Sequence, residues 1–287
     1  MEKLSLPISI SNLIKSLECQ NSFNPTEITN LLYSADISEE DLLMWAKFDH
    51  PVEDGYGRAL VHAGDNFEVM VMSWNPRDQT AIHNHGYTTW GAVQVFGNLD
   101  HVSFNCKDNF LYTLHKEKLS AGEVIAVNQK LIHQMGNSSD EQVLSIHVYG
   151  RDEVSDNITA DSFIYEVGKH EIQVVNGGVF YDLKNNEIAR RSSGLKSDPL
   201  TEIAHYTSLL NFYFKSNARG PQFNKAVKYF QDRSFENRLN FEIELDSKGI
   251  LYLVELKKAR KILSLLKEPT KTLDAIIFEI NDIEKYS

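Results

Sequence analysis

The sequence is poor in cysteine: only Cys19 and Cys106 occur among 287 residues, and they lie far apart in the chain. Two isolated thiols cannot build a disulfide framework, and they fit a reducing compartment. The first residues also lack a basic stretch followed by a long apolar segment, so we expect no secretory signal. These absences together predict a cytoplasmic protein.

Long hydrophobic runs and an excess of positive charge are missing as well. No apolar run approaches the ~20 residues that a membrane-spanning helix needs. The 29 Lys and Arg residues face 40 Asp and Glu residues, which gives a net charge of −11 and a pI near 5.4. A chain of this charge repels nucleic-acid phosphates. We therefore expect neither a membrane span nor a nucleic-acid partner.

The N-terminal part, residues 8–50, has the pattern of helices. Asn24 and Pro25 are typical of a cap followed by the first helical residue, and Ser38 precedes an acidic first turn in the same way. Leu42, Leu43 and other apolar residues follow at helical spacing. We expect short helices here, ahead of a region of a different kind.

Residues from about 57 to 182 alternate short apolar stretches with turn residues. Such spacing is typical of strands joined by tight turns. Several short strands in succession favour an all-β barrel or a double-sheet jelly roll. The predicted strands are 67–74, 91–96, 123–127 and 143–149, with a further hairpin over 163–175.

The polar stretch 184–198 is predicted to be a linker. Beyond it, helices are predicted over 199–217, 221–233 and 252–267, while 270–285 fits either a helix or a strand. The chain is thus expected to divide into a β-rich domain, 1–190, and a mostly helical C-terminal extension, 191–287. That extension could cap the barrel, mediate oligomerisation or contact a partner.

The most specific motif is His83-Asn84-His85, with a third histidine, His133, after another predicted strand. Residues at i and i+2 on a strand point to the same face, so the first two imidazoles can converge. A third imidazole from a neighbouring strand completes three corners of a metal site. Neutral imidazole suits Fe, Zn, Cu and Ni, and three ligands leave positions open for a substrate.

Two further constellations accompany the histidines. Ser145, His147 and Tyr149 alternate along one predicted strand, so they share a face and can form a hydrogen-bonded row. An ordinary strand with polar residues facing water would show the same pattern. Tyr56 and Arg58 form the other constellation, in which the guanidinium fork can hold a carboxylate. Arg58 could equally be a surface residue.

The split histidine pattern resembles the cupin superfamily, and all three constellations in this order resemble the cysteine dioxygenase family of thiol dioxygenases. The resemblance covers roughly residues 10–182. It implies a cupin-type jelly-roll barrel with N-terminal helices. The matching residues are Tyr56, Arg58, Trp74, His83, His85, His133, Ser145, His147 and Tyr149.

The sequence departs from the family pattern in three places. Asn84 stands where the usual signature has aspartate. Common cupins, in contrast to this chain, carry a glutamate ligand three to four residues beyond the histidine pair; no acid lies between His85 and Gly91 here, so three neutral histidines are the expected ligands. Such a site leaves a divalent ion dipositive and favours an anionic ligand such as a thiolate. Trp90 and Gly91 occupy the region where animal members carry a cysteine that crosslinks to the tyrosine. We therefore expect an uncrosslinked Tyr149. The third departure is the C-terminal extension.

The resemblance implies an enzyme that uses Fe(II) and O2 to convert a small thiol, L-cysteine above all, into a sulfinic acid. It implies that Arg58, aided by Tyr56 and Trp74, binds the substrate carboxylate. It also implies a catalytic role for Tyr149, oriented by His147 and Ser145. A related thiol such as 3-mercaptopropionate is the alternative substrate. A cupin that senses or binds a ligand without turnover, or one without metal, is the alternative from another class.

Overall fold

The computed structural model describes residues 6–154, 158–217, 220–232 and 249–284. The N-terminal helices are α1 (Ile8–Glu18) and α2 (Pro25–Ser34), followed by 3-10 turns at Glu40–Trp45 and Val52–Asp54. The Asn24 side chain accepts the Glu27 N–H at 3.0 Å, and the Glu27 carboxylate accepts the Asn24 N–H at 2.9 Å. This reciprocal capping explains why α2 starts where the sequence predicts.

The Ser38 region folds into a 3-10 turn rather than the predicted α-helix. Ser38 and Asp41 nevertheless cap each other, since the Ser38 N–H donates to the Asp41 carboxylate at 3.0 Å. The strands that follow alternate with short turns along the chain. They are β1 (Gly57–Ala63), β2 (Phe67–Trp74), β3 (Trp90–Val95), β4 (Leu99–Lys107), β5 (Phe110–Leu119), β6 (Val124–Ala126), β7 (Ile132–Gly136), β8 (Val143–Gly150), β9 (Ser162–Glu166), β10 (Glu171–Val175), β11 (Ile188–Ser193) and β12 (Lys196–Ser197).

One sheet has the strand order β1-β2-β8-β3-β6. Its central strand, β8, pairs antiparallel with both β2 and β3, so that Tyr149 lies opposite Glu68 on one side and Gly91 on the other. Leu144, Ile146 and Val148 of β8 pack in a core with the apolar faces of α1 and α2. The intervening residues of β8 therefore face the other side of the sheet, where the candidate site lies.

The second sheet is assembled from the orders β12-β5-β4-β7 and β11-β10-β9. The segment 79–85 connects these two parts through isolated bridges: Gln79 pairs with Gly136, and His83 pairs with both His133 and Ile164. This segment replaces the regular strand predicted for the histidine pair. Two mainly antiparallel sheets with helices against one of them form a mainly β, cupin-type jelly-roll barrel, which confirms the predicted fold.

The linker predicted over 184–198 is wrong. A 3-10 turn at Asn185–Glu187 leads into β11, which pairs with β10 at a sheet edge, and β12 pairs in parallel with β5. All residues of β11 except Ile188 are exposed. Because an exposed edge strand has no apolar alternation, its sequence resembles that of a linker.

The C-terminal helices are α3 (Pro199–Ser216), α4 (Pro221–Gln231), α5 (Gly249–Leu265) and α6 (Lys271–Glu284). The last of these resolves the choice left open for 270–285 in favour of a helix. The chain divides into two compact units: the first consists of residues 1–105, 114–165 and 172–192, and the second of residues 106–113, 166–171 and 193–287. The domain boundary expected at residue 190 stays a prediction.

The second unit is discontinuous in sequence. β12 pairs with Phe110 and Leu111 at the start of β5, and the Thr201 hydroxyl lies 2.8 Å from the Thr113 hydroxyl. The buried His205 accepts the Gly168 N–H at 3.1 Å. Among the described helices of the chain, none is long and apolar enough to cross a membrane.

Candidate functional site

Three histidines converge inside the first unit. The backbones of His83 and His133 exchange two hydrogen bonds, of 2.9 and 2.8 Å, which holds their imidazoles side by side. His85 follows two residues later, before a turn at Gly86, whose φ of +51° favours glycine. The candidate ligand atoms of the three rings all lie within 4.8 Å of one another, and all three residues are buried. The sequence-predicted triad is thus brought together.

Each of these rings uses its Nδ1 atom in a hydrogen bond away from the point of convergence. His83 Nδ1 lies 2.9 Å from the Ala81 carbonyl, and His85 Nδ1 lies 3.2 Å from the Asn128 carbonyl. A carbonyl can only accept, so both Nδ1 atoms carry the proton and both Nε2 atoms carry a lone pair. Within the described residues, His85 Nε2 is buried without a hydrogen-bond partner. An unpaired lone pair beside two other imidazoles fits a metal ion.

Burial keeps the rings neutral, which is the form that binds metal. Desolvation lowers the pKa of His83 to about 4 and lowers the pKa of His85 and His133 well below the ordinary value. Repulsion from neighbouring histidines in their charged form, His83 above all, lowers the pKa of His85 and His133 further. At neutral pH the site therefore presents three uncharged nitrogen donors, a set that suits Fe, Zn, Cu or Ni.

A continuous hydrogen-bonded row runs along β8 beside the histidines. The Trp74 indole N–H donates to Ser145 Oγ at 2.9 Å, Ser145 Oγ lies 2.8 Å from His147 Nε2, and His147 Nδ1 lies 2.8 Å from the Tyr149 hydroxyl. If Ser145 donates to His147 and His147 to Tyr149, every group in the row is satisfied and the phenolic proton is left for a ligand. The row is buried, so the solvent-facing alternative is excluded.

Burial also sets the protonation states in the row. It lowers the pKa of His147 to about 3, with smaller contributions from His83 and the positive charge of Arg58. It raises the pKa of the Tyr149 phenol, and the neighbouring phenol of Tyr56 raises it further. His147 is therefore neutral and Tyr149 protonated at neutral pH, so Tyr149 is a hydrogen-bond donor.

Two cavities lie at the site, and Tyr56, His83 and Tyr149 line both of them. Arg58 lines one of the two, together with His85. Tyr56 is held by the Val179 N–H, which donates to its hydroxyl at 3.2 Å, and by stacking on Trp74 with ring centroids 5.2 Å apart. Arg58 donates to the sulfur of Met70 at 3.5 Å. A cationic guanidinium thus borders the same small cavity as two of the three imidazoles, those of His83 and His85.

Several residues at the site escaped the sequence analysis. Glu68 lies opposite Tyr149 on β2; burial raises its pKa, whereas the positive charge of Arg58 lowers it. Met72 and Val179 line the cavity, and His101 contacts His133 with 3.1 Å between their nitrogens. Alternation along β4 is the sequence signal that places His101 on the inward face, although 99–107 is not among the predicted strands.

The two departures near the histidine pair have structural explanations. The Asn84 amide oxygen accepts the Phe163 N–H at 2.7 Å and the Gly86 N–H at 3.2 Å, which requires an acceptor but no charge. Gly91 is the residue paired opposite Tyr149, and a Cβ there would lie 2.3 Å from the Val148 carbonyl oxygen. No side chain fits at Gly91, so no thiol stands beside Tyr149 at this position.

Comparisons with known proteins agree with this geometry. The chain is 28% identical to the type 1 cysteine dioxygenase of Danio rerio over 153 residues, which are 50% of this chain and 75% of that protein. The corresponding human protein is 24% identical over 152 residues, 50% of this chain and 74% of that protein.

A solved structure from Klebsiella pneumoniae, an uncharacterised conserved protein with a double-stranded β-helix domain, is 16% identical with a TM-score of 0.31. The match covers 40% of this chain and 90% of that one. The family model for cysteine dioxygenase type I matches residues 2–152, more than half of the chain. The chain belongs to the cysteine dioxygenase type I family.

Proposed function

We propose that this protein is an Fe(II)-dependent thiol dioxygenase that converts L-cysteine and O2 into cysteine sulfinic acid. The observation that carries the proposal is the convergence of three neutral imidazoles beside two cavities that share His83 and the protonated phenol of Tyr149, one of which is also lined by the Arg58 guanidinium. Family membership supports the type of reaction. Cysteine offers a group for each part of the cavity: a thiol for the metal and a carboxylate for Arg58.

The histidine triad, His83, His85 and His133, would hold the ion through their Nε2 atoms. A ferrous ion in that position stabilises the thiolate form of the substrate and supplies the redox chemistry that joins O2 to sulfur. The thiol RSH and O2 together contain all the atoms of the sulfinic acid RSO2H. No external reductant is therefore required.

Arg58 would bind the substrate carboxylate through two parallel hydrogen bonds, which fixes the direction in which the thiol points. Tyr56, which lines the same cavity as Arg58, stacks on Trp74, and this aromatic pair would exclude water from one side of the substrate. Holding a reacting group in place in this way can be worth ~7–11 kcal/mol of barrier. The contribution of these residues is binding and orientation rather than proton transfer.

Tyr149 would donate its phenolic proton to the ligand in the cavity. His147 and Ser145 fix the orientation of the phenol, and Trp74 anchors Ser145 at the other end of the row. A donor that is already oriented in a buried site needs no reorganisation during the reaction. Because the pKa of Tyr149 is raised, this proton remains in place across the neutral range.

The decisive experiment is anaerobic loading of the purified protein with Fe(II), followed by O2-uptake assays on a panel of small thiols. We expect cysteine to support uptake, one O2 per thiol, with a product 32 mass units heavier than cysteine, the mass of the O2 added. 3-Mercaptopropionate and cysteamine, which lack the amine and the carboxylate respectively, test what the cavity requires. Fe(II)-loaded protein that consumes no O2 above background with any thiol would contradict the proposal.

A further inference from the structure

A line of three ionisable side chains runs outward from one of the candidate metal ligands. His133 Nδ1 lies 3.1 Å from His101 Nε2, and His101 Nδ1 lies 2.8 Å from a carboxylate oxygen of Glu117. The three residues come from β7, β4 and β5, all in the first unit. Both histidines are buried, whereas the Glu117 side chain is 40% exposed.

Hydrogen-bond chemistry gives this line one direction. The Glu117 carboxylate can only accept, so His101 donates from Nδ1 and keeps a lone pair on Nε2. That lone pair accepts the Nδ1–H of His133. The Nε2 atom of His133 then carries its own lone pair, and it is this atom that faces the point where the three imidazoles converge.

In the other two candidate ligands the Nδ1 atom contacts a backbone carbonyl instead of a second imidazole. His83 and His85 donate from Nδ1 to the neutral carbonyls of Ala81 and Asn128. A carboxylate at the end of a hydrogen-bonded chain withdraws the proton from the imidazole more strongly than an amide carbonyl does, and this raises the basicity of the ligating nitrogen. The three nitrogen donors are therefore chemically unequal.

We propose that His101 and Glu117 are positioning residues that fix His133 in the Nδ1–H form and make it the strongest donor of the triad. This inference rests on the proposed metal site, and it adds a negative charge that acts on the metal through two imidazoles. The arrangement supplies part of the electron donation that a carboxylate ligand would give, while leaving the ligand set neutral.

The test uses the 287-residue chain with Co(II), an ion that binds nitrogen ligands and shifts the NMR signals of nearby protons. Glu117→Gln keeps an acceptor for His101 but removes the charge. We expect Glu117→Gln to weaken Co(II) binding about 10-fold in a chelator competition, since loss of such outer partners typically costs 10–100-fold. We also expect it to shift one of the three exchangeable imidazole N–H signals, that of His133, more than the other two.

His115→Gln is the matched control. His115 is exposed, and its Nε2 atom lies 3.6 Å from the other carboxylate oxygen of Glu117, not from the oxygen that contacts His101. The His115→Gln substitution should leave both the affinity and the three N–H signals unchanged. His101→Gln should weaken binding further than Glu117→Gln does. If His101→Gln fails to fold, the partly exposed Glu117 still provides the test.

Co(II) affinity within twofold of the wild type, together with three unmoved N–H signals in Glu117→Gln, would overturn the inference. Equal shifts of all three signals would also overturn it, because they would indicate a general change in the cavity. These measurements need no turnover. A protein that binds Co(II) as expected but oxidises no thiol would contradict the proposed function and leave this inference standing.

Discussion

Single side chains determine what the cavity can bind, and Arg58 is the clearest example. Its guanidinium donates to the Met70 sulfur and interacts with the Glu68 carboxylate, so it is oriented before any substrate arrives. The Glu68 carboxylate is itself held by the Thr159 hydroxyl. A substrate carboxylate therefore meets a guanidinium whose position is already set by its neighbours.

Arg58→Ala is expected to reduce kcat/KM for cysteine about 30-fold, mainly through a higher KM. The reason is the loss of charged hydrogen bonds worth ~2 kcal/mol. For cysteamine, which has no carboxylate, the same substitution should change kcat/KM by less than about twofold. Steady-state O2 uptake with both substrates measures the effect. For Arg58→Lys, which keeps the positive charge but not the guanidinium fork, kcat/KM for cysteine should lie between the values of the wild type and Arg58→Ala. Equal losses for both substrates would remove Arg58 from the carboxylate site.

Tyr149→Phe is expected to lower kcat by roughly a hundredfold, because it removes an oriented donor from the buried site. Iron content, measured by metal analysis, should stay at the wild-type level, since the three imidazoles are untouched. Tyr87→Phe, at an exposed tyrosine, is the control and should behave as the wild type. Unchanged turnover in Tyr149→Phe would deny the phenol a part in the reaction.

The site residues that the sequence could predict are those in short local patterns. His83 and His85 are two residues apart, and Ser145 to Tyr149 occupy alternate positions of one strand. His101 and Glu117 share no short local pattern with the histidine pair, because His101 reaches His133, and Glu117 reaches His101, only through contacts between different strands. Such contacts depend on strand register, which a local pattern does not specify.

Among the elements of the second unit, α3 is stabilised by an unusual polar core residue. His205 accepts the Gly168 N–H, and Lys225 donates to the Gly168 carbonyl. Burial, assisted by the charges of Lys169 and Lys225, lowers the pKa of His205 to about 3. An imidazole that must stay neutral to accept this hydrogen bond makes the helix sensitive to acid.

The stability of the second unit should therefore fall as the pH falls below about 6.5, the pKa of histidine in the unfolded chain. The pKa of His205 is lower in the folded protein, at about 3, so the unfolded state binds more protons than the folded state between pH 6.5 and about 3. The full contribution is present above pH 6.5 and is lost toward pH 3, at about 1.4 kcal/mol per pH unit. His205→Gln should lose less stability than the wild type between pH 7 and pH 5.

Urea unfolding followed by helical circular dichroism measures this difference at the two pH values. The three tryptophans, Trp45, Trp74 and Trp90, lie in the first unit, so their fluorescence reports that unit separately. Both proteins share the other buried histidines, whose contributions cancel in the comparison. Identical pH dependence in the two proteins would show that His205 does not control the acid sensitivity.

Helices were better predicted from the sequence than edge strands. The capping residues of α2 and α3, Asn24 and Asp198, each precede a proline at the first helical position, and these signals are local. β11 was mistaken for a linker because its exposed residues have no apolar face. The segment 79–85 bridges two strands without regular strand geometry, which alternation alone does not predict.

At the scale of the whole molecule, the second unit includes two short segments that come from the β-rich part of the sequence. Residues 106–113 and 166–171 group with the C-terminal helices, and their partners include β12, Thr201 and His205. Removing the C-terminal region would leave the Gly168 N–H and the Thr113 hydroxyl without these contacts. The C-terminal region therefore contributes to the order of segments far from it in sequence.

A fragment of residues 1–190 is expected to unfold about 10 °C below the full chain, since it loses several hydrogen bonds of ~1 kcal/mol each. Differential scanning calorimetry measures the two midpoints. A fragment of residues 1–197 retains the pairing of β12 with β5, and its midpoint should lie between those of the other two proteins. Equal midpoints for fragment 1–190 and the full chain would indicate that the C-terminal region is thermally independent.

The discontinuous second unit also has a consequence during synthesis on the ribosome. Lys196 of β12 is 86 residues from its partner Phe110 at the start of β5, so at ~5–20 residues per second it follows roughly 4–17 s later. For that interval the start of β5 has an open hydrogen-bonding edge, which other nascent chains could pair with. Slower translation of the last third of the message should therefore increase aggregation during expression, and early chaperone binding to residues 106–113 should reduce it.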